Sequence, residues 1–189
     1  MYSVDAPFGK TLFVLGGARS GKSRHAQMIA EHAASESGNL VFVATAQAFD
    51  DEMVERIARH RADRDERWRT VEAPTALPQA LADADGAASV IVVDCLTLWM
   101  TNLLLGNHDI EAHTTALLTT IEGLEGRAIF VSNEVGMGIV PENMLARRFR
   151  DESGRLHQRL AAQVDSVDMV FAGLCQRWKG PYAAQSFRK

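Results

Sequence analysis

Five short aliphatic runs punctuate the chain: TLFVLG (residues 11–16), LVFVATA (40–46), SVIVVDC (89–95), RAIFVSN (127–133) and VDMVFAG (167–173). Apolar positions follow one another in these runs instead of alternating with polar ones. A strand of that kind is covered on both faces, which predicts a mainly parallel sheet between layers of helix. The segments 22–35, 50–66, 75–84, 96–105, 110–122 and 141–164 have helical character. Strand and helix in alternation predict an α/β fold. Polar stretches at Ser35–Asn39 and 83–89 read as turns. With no internal repeat, low-complexity tract or linker, the expectation is one domain over residues 11–189 behind an N-terminal tail of residues 1–10.

Composition narrows the function classes. The chain has 189 residues, 47% apolar and 23% charged, which is ordinary for a globular protein able to bury a core without disulfides or metals. A net charge of −4 argues against a nucleic-acid-coating protein. The two cysteines, Cys95 and Cys175, make no framework or metal pattern. They read as small buried residues of a reduced compartment. No run approaches the ~20 apolar residues of a membrane span, and the start MYSVDAPFGK lacks a signal-peptide pattern, so a cytoplasmic location is expected.

The strongest chemical signal is GGARSGKS, residues 16–23. It matches the phosphate-loop pattern G-x-x-x-x-G-K-[ST] and lies where that pattern belongs, between an aliphatic strand and a helix. The fold class therefore sharpens to a single P-loop NTPase domain of RecA-like type. Gly16, Gly17, Ala18, Arg19, Ser20 and Gly21 would curl the backbone so that amides face phosphate oxygens. Lys22 would neutralise the outer phosphates, and the Ser23 hydroxyl would ligate Mg²⁺. SVIVVDC supplies a second metal ligand in Asp94, at the end of another buried strand; the competing reading is that Asp94 caps the next helix. The implied ligand is a nucleoside triphosphate. These elements alone do not separate an ATPase from a kinase.

A less common pattern is RIARHRADR, residues 56–64, with one histidine among four arginines. On a helix, Arg56, His60 and Arg64 share a face. Such a face gathers phosphates, and its cations favour a neutral imidazole at His60. A neutral imidazole is a nucleophile. The competing reading is a solvated helix whose arginines pair with Glu52, Glu55 and Asp63.

The stretches GGARSGKSRHA, ATAQAFDDEMVERIARHRADRDERWRTVEAP and VSNEVGMGIVPENMLARRFRDESGRLHQRLA together resemble the bifunctional adenosylcobinamide kinase and adenosylcobinamide-phosphate guanylyltransferase family of cobalamin biosynthesis. The resemblance covers about residues 11–175. It implies phosphorylation of adenosylcobinamide by ATP or GTP, then transfer of GMP from GTP to adenosylcobinamide phosphate through a GMP-histidine intermediate. Some relatives carry two adjacent histidines at that point; this chain has Arg59 and then His60, so His60 is the implied nucleophile. The resemblance also implies nucleotide contacts at Ala44, Thr45, Ala46, Arg56, Arg61, Ala62, Asp63 and Arg64. Glu72 and Asp94 become candidates for guanosine or metal contacts. It further implies a homotrimer, with Trp99 in the apolar LTLWMTNLLL a candidate for a subunit interface as well as for the core. The loop NEVGMGIVPEN, with Glu134, Gly136 and Gly138, reads as a nucleotide, corrinoid or subunit contact. His25 reads as packing or surface. The alternatives are a P-loop kinase of another small alcohol without a covalent step, a RecA-like motor, and a nucleotide-sensing regulator.

Overall fold

The structure, a computed structural model, describes residues 8–34, 38–47 and 64–181. Within these, seven strands form one sheet in the order β3-β2-β4-β5-β1-β6-β7. The strands are β1 (Thr11–Gly16), β2 (Asn39–Ala44), β3 (Trp68–Glu72), β4 (Ser89–Asp94), β5 (Arg127–Asn133), β6 (Ser166–Phe171) and β7 (Leu174–Lys179). All neighbours are parallel except β6 and β7, which form an antiparallel hairpin. The described helices are α1 (Lys22–Ala34), α2 (Leu77–Ala84), α3 (Leu96–Leu105), α4 (Ile110–Gly123) and α5 (Met144–Gln163).

The aliphatic runs split by parity, as a strand's side chains must. Leu12, Val14, Leu40, Phe42, Val92, Ile129 and Val131 pack with Ala26, Ile29 and Ala30 of α1 on one face. Phe13, Val41, Val43, Ile91, Val93 and Phe130 pack with residues of α2, α3, α4 and α5 on the other. Buried Ala26, Ile29, Ala30 and Ala34 recur at the spacing that lines one side of a helix. Before β1, Phe8 is buried and Arg127 lies over its ring.

The structure adds two strands that the aliphatic pattern does not reveal. β3 reads WRTVE, too short and polar to stand out, and is held at the sheet edge beside β2. β7 reads LCQRWK and alternates, because it covers the other edge with one face half exposed. The run 167–173 ends as strand at Phe171, and Ala172 and Gly173 form the hairpin turn with φ of 51° and 80°. Residues 64–67 are bend and turn, not the end of a helix; the rest of the expected helix 50–66 lies outside the described residues apart from these. Helix α5 starts at Met144, after Asn143 has capped it through the Ala146 amide, so residues 141–143 belong to the preceding loop. Trp99 is wholly buried within one chain and its Nε1 donates to Thr75 O at 2.9 Å, which places it in the core and not at a subunit interface.

Candidate functional site

The phosphate loop leaves the end of β1 at the centre of the sheet. β5 separates β1 from β4, so Gly16 pairs with Asn133 in β5 and Asp94 pairs with Val131 in the same strand. The loop residue Arg19 has φ 55° and Gly21 has φ 98°, the left-handed backbone that makes the curl. Gly16 is required for space: a Cβ there would stand 2.3 Å from Val170 O. Gly17 is not, since a Cβ would meet nothing within 4 Å.

The loop's carbonyls are turned back into the protein. Gly16 O accepts from Glu134 N (3.0 Å), Gly17 O from Ser20 N (3.3 Å), Ser20 O from Gly173 N (2.9 Å) and Gly21 O from His25 N (3.0 Å). Lys22 is buried and its Nζ also donates to Gly17 O at 2.9 Å. Acceptors are thereby drawn away from the concavity, which suits an anion at the start of α1. Ala18 and Arg19 are exposed at its rim.

Asp94 is half buried at the end of β4, and the residue that starts α3 as its cap is Cys95, with no side-chain capping bond. The capping alternative for Asp94 is therefore not what the fold uses. A serine hydroxyl at Ser23 and a carboxylate at Asp94 are hard oxygen donors, the chemistry that Mg²⁺ takes.

The ends of β2, β3 and β4 gather Ala44, Glu72 and Asp94 in one register, with Ala44 opposite both acids. Ala46 is half buried and Glu72 exposed. Thr45, an expected nucleotide contact, turns its hydroxyl inward. It is fully buried, its Oγ1 donates to Cys95 O (2.7 Å) and accepts from Cys95 N (2.9 Å), and its carbonyl accepts from Asn102 Nδ2 (2.8 Å). Thr45 thus supports the Asp94 turn from beneath. Asn102 also donates to Pro74 O at 2.8 Å, so one α3 amide fixes the loops after both β2 and β3. Arg64 lays its guanidinium over the Phe42 ring, 3.7 Å from the centroid, a cation–π contact. His60, Arg56, Arg61, Ala62 and Asp63 lie outside the described residues.

Two polar groups that the sequence did not single out flank the site. Thr97 Oγ1 accepts from Asn133 N (2.7 Å) and Asn133 Nδ2 (3.2 Å) and shares a hydrogen bond with Ser132 Oγ (3.1 Å), which meets His157 Nε2 at 2.8 Å. Burial pushes the His157 imidazole down to about 4, against a smaller upward pull from Glu134, so it is neutral near pH 7. This chain ties the end of β5 to α3 and α5. On the α1 side, Asp168 is buried and accepts from His25 (3.0 Å) and from Nε and Nη2 of Arg177. His25, one turn into α1, is thus a link to the β6–β7 hairpin. Cys175 Sγ stands 3.2 Å from His25 Nε2, and the three groups sit close enough for a shared metal. Arg177 already supplies Asp168 with a cation, so the cluster is an ion-pair tie. Polar residues at strand ends, Ser132, Asn133 and Asp168 within aliphatic runs, were the available sequence signal.

A family profile described as cobinamide kinase / cobinamide phosphate guanyltransferase matches residues 12–177. The chain belongs to this family. It is 49% identical over 170 residues to the bifunctional adenosylcobalamin biosynthesis protein CobP of Pseudomonas aeruginosa, a match spanning 88% of this chain and 96% of the relative. It is 39% identical over 178 residues to the bifunctional adenosylcobalamin biosynthesis protein CobU of Escherichia coli, covering 86% and 96% of the two chains. The CobU of Salmonella typhimurium is 38% identical with the same coverage. The protein is accordingly an enzyme of this kinase and transferase class, built on a P-loop NTPase fold. Among the described residues no helix is long and apolar enough to cross a membrane.

Proposed function

We propose that the protein catalyses two successive transfers in cobalamin nucleotide-loop assembly. The first phosphorylates the aminopropanol hydroxyl of adenosylcobinamide with ATP or GTP. The second moves GMP from GTP onto that phosphate, giving adenosylcobinamide-GDP and pyrophosphate. The observation that carries this reading is the inward-bonded phosphate cradle Gly16–Ser23, at the same end of the sheet as Asp94, in a chain of this family.

In this reading the cradle amides and Lys22 hold the phosphates of the donor nucleotide. Ser23 and Asp94 would hold Mg²⁺, which would supply neutralisation of charge on the phosphate oxygens. His60 attacks the α-phosphorus of GTP; the bond to the β-phosphate oxygen breaks and pyrophosphate leaves. GMP then rests on the imidazole as a phosphoramidate until an oxygen of adenosylcobinamide phosphate attacks its phosphorus; the P–N bond breaks and the His60 imidazole leaves. Arg56, Arg61 and Arg64 stabilise the developing charge, which requires Arg64 to leave Phe42. The guanosine contacts include Glu72 and Ala46. The enzyme works in the cytoplasm as a homotrimer.

The test is labelling with GTP radioactive at the α-phosphorus, with Mg²⁺, comparing wild type with His60→Ala. Acid-labile, alkali-stable label on wild type and none on the variant is the expected result. A wild-type protein that binds GTP and phosphorylates adenosylcobinamide but takes no label is a kinase only, and the covalent step falls.

A further inference from the structure

The loop from Glu134 to Asn143 carries an unusual surface. Met137, Ile139 and Val140 are 77%, 97% and 58% exposed, and Met144, next in the first turn of α5, is 78% exposed. A loop with this composition would ordinarily fold its side chains inward. Here its polar atoms are engaged locally instead. Gly136 N donates to Glu134 Oε1, Arg147 Nη1 donates to Pro141 O (3.0 Å) and Glu142 O, and Asn143 caps α5 through the Ala146 amide (3.1 Å). The backbone is held in shape while the apolar side chains face outward. Contiguous exposed apolar surface on a fixed scaffold marks a binding surface.

Its place follows from the strand order. β1 lies between β5 and β6, so the segments leaving those two strands flank the phosphate loop. Both are bonded to it: Glu134 N to Gly16 O at 3.0 Å and Gly173 N to Ser20 O at 2.9 Å. The second flank is apolar too, with Phe171 and Leu174 paired across the hairpin and 73% and 60% exposed. Asp168 and Val170 face α1, so strand alternation puts Phe171 on the opposite side, the side of α5 to which the Glu134–Asn143 loop leads.

We infer that this apolar rim, Met137, Ile139, Val140 and Met144 on one border of the phosphate loop and Phe171 and Leu174 on the other, docks the macrocycle of the corrinoid substrate. The inference rests on the proposed function and names the surface for its acceptor. The cradle holds the donor's phosphates, so the acceptor reaches them from outside, across the segments that border the cradle. An acceptor whose bulk is a broad ring system with apolar faces is matched by apolar side chains on both borders. Gly138 leaves room there: a Cβ at that position meets nothing within 4 Å.

The test uses the full chain with Met137→Ser, Ile139→Ser and Val140→Ser, singly and combined, and Phe171→Ser. Steady-state kinase assays give KM for adenosylcobinamide and for ATP, equilibrium dialysis gives the corrinoid Kd, and light scattering gives the mass. The combined variant should raise corrinoid KM and Kd about tenfold or more, as expected for losing several apolar contacts. KM for ATP, labelling by GTP alone and the mass should stay at wild-type values. Phe171→Ser should shift the same two constants, and Ile139→Leu should retain them. Ile139→Ser, at a position open to solvent, keeps the test valid if the combined variant does not fold. Unchanged corrinoid constants in active variants overturn the docking surface and leave the proposed function standing. A fall in mass that accompanies the corrinoid defect also overturns it, because the rim then belongs to a contact with a second copy. Wild-type enzyme that does not turn over adenosylcobinamide at all removes the proposed function, and this inference with it.

Discussion

Replacing Asp168 by Asn probes the tie between the hairpin and the start of α1. Asp168 is 1% exposed, and the Arg177 side chain that it pairs with is 9% exposed. Asn preserves the volume but removes the charge, leaving a buried guanidinium without its carboxylate. Losing one partner of a buried pair costs about 3–5 kcal/mol. Arg177 keeps its bond to Pro181 O at 3.1 Å, so the lower end, about 3 kcal/mol, is expected. In a chain of this length that corresponds to a fall in Tm of about 6–12 °C. Burial alone would raise the Asp168 pKa, but the hydrogen bonds from His25 and Arg177 outweigh it and hold the carboxyl below its ordinary 3.8. The folded value lies below the unfolded one, so the stabilisation is complete above pH 3.8 and is lost as pH falls through the folded value. Urea unfolding at pH 7 should therefore show the full penalty, and the difference from wild type should shrink below pH 3.8. Adding Arg177→Met should recover stability to within about 1 kcal/mol of wild type. A loss under about 1 kcal/mol at pH 7, or a double variant no more stable than Asp168→Asn, would refute the reasoning.

Two further outcomes follow from the buried groups. His157, near 4 in the fold against 6.5 unfolded, binds its proton less readily in the native state, so its contribution is complete above pH 6.5 and lost between pH 6.5 and 4. That loss is about 3 kcal/mol, and His157→Gln should flatten it in unfolding titrations at pH 7 and 4; parallel acid limbs would contradict the assignment. Burial first, then the charges of Asp94 and Asp168, push the thiols of Cys95 and Cys175 up to about 11 and about 12. Both should resist a thiol-reactive dye at pH 8 until denaturant is added, and rapid stoichiometric labelling of native protein would show that reading to be wrong.

The central strands and the phosphate loop were legible because each is written locally. Continuous runs such as SVIVVDC and the spacing of Gly16, Gly21, Lys22 and Ser23 need no distant partner to be read. The edge strands β3 and β7 were not, because an edge strand is half solvated and its apolar signal is diluted, as WRTVE and LCQRWK show. Thr45 illustrates a second limit. Its position beside the site is visible in sequence, but its orientation is set by Cys95 and Asn102, fifty or more positions away. The same holds for His25, whose partners Asp168 and Cys175 arrive from the far end of the chain. A helix carrying His60 is an expectation from charge spacing, and residues 48–63 lie outside the described ones.

The four carbonyls of the phosphate loop that bond within the protein bear on how a nucleotide arrives. A loop already curved in its free state has little conformational entropy left to lose on binding. Nucleotide capture should then be governed by encounter and electrostatic attraction, with association fast and weakened by salt. The Lys22 ammonium is the part that must reorganise, exchanging Gly17 O for a phosphate oxygen. That exchange replaces a neutral acceptor by an anionic one, so the enthalpy gained on binding should concentrate in a single side chain while the backbone around it stays still.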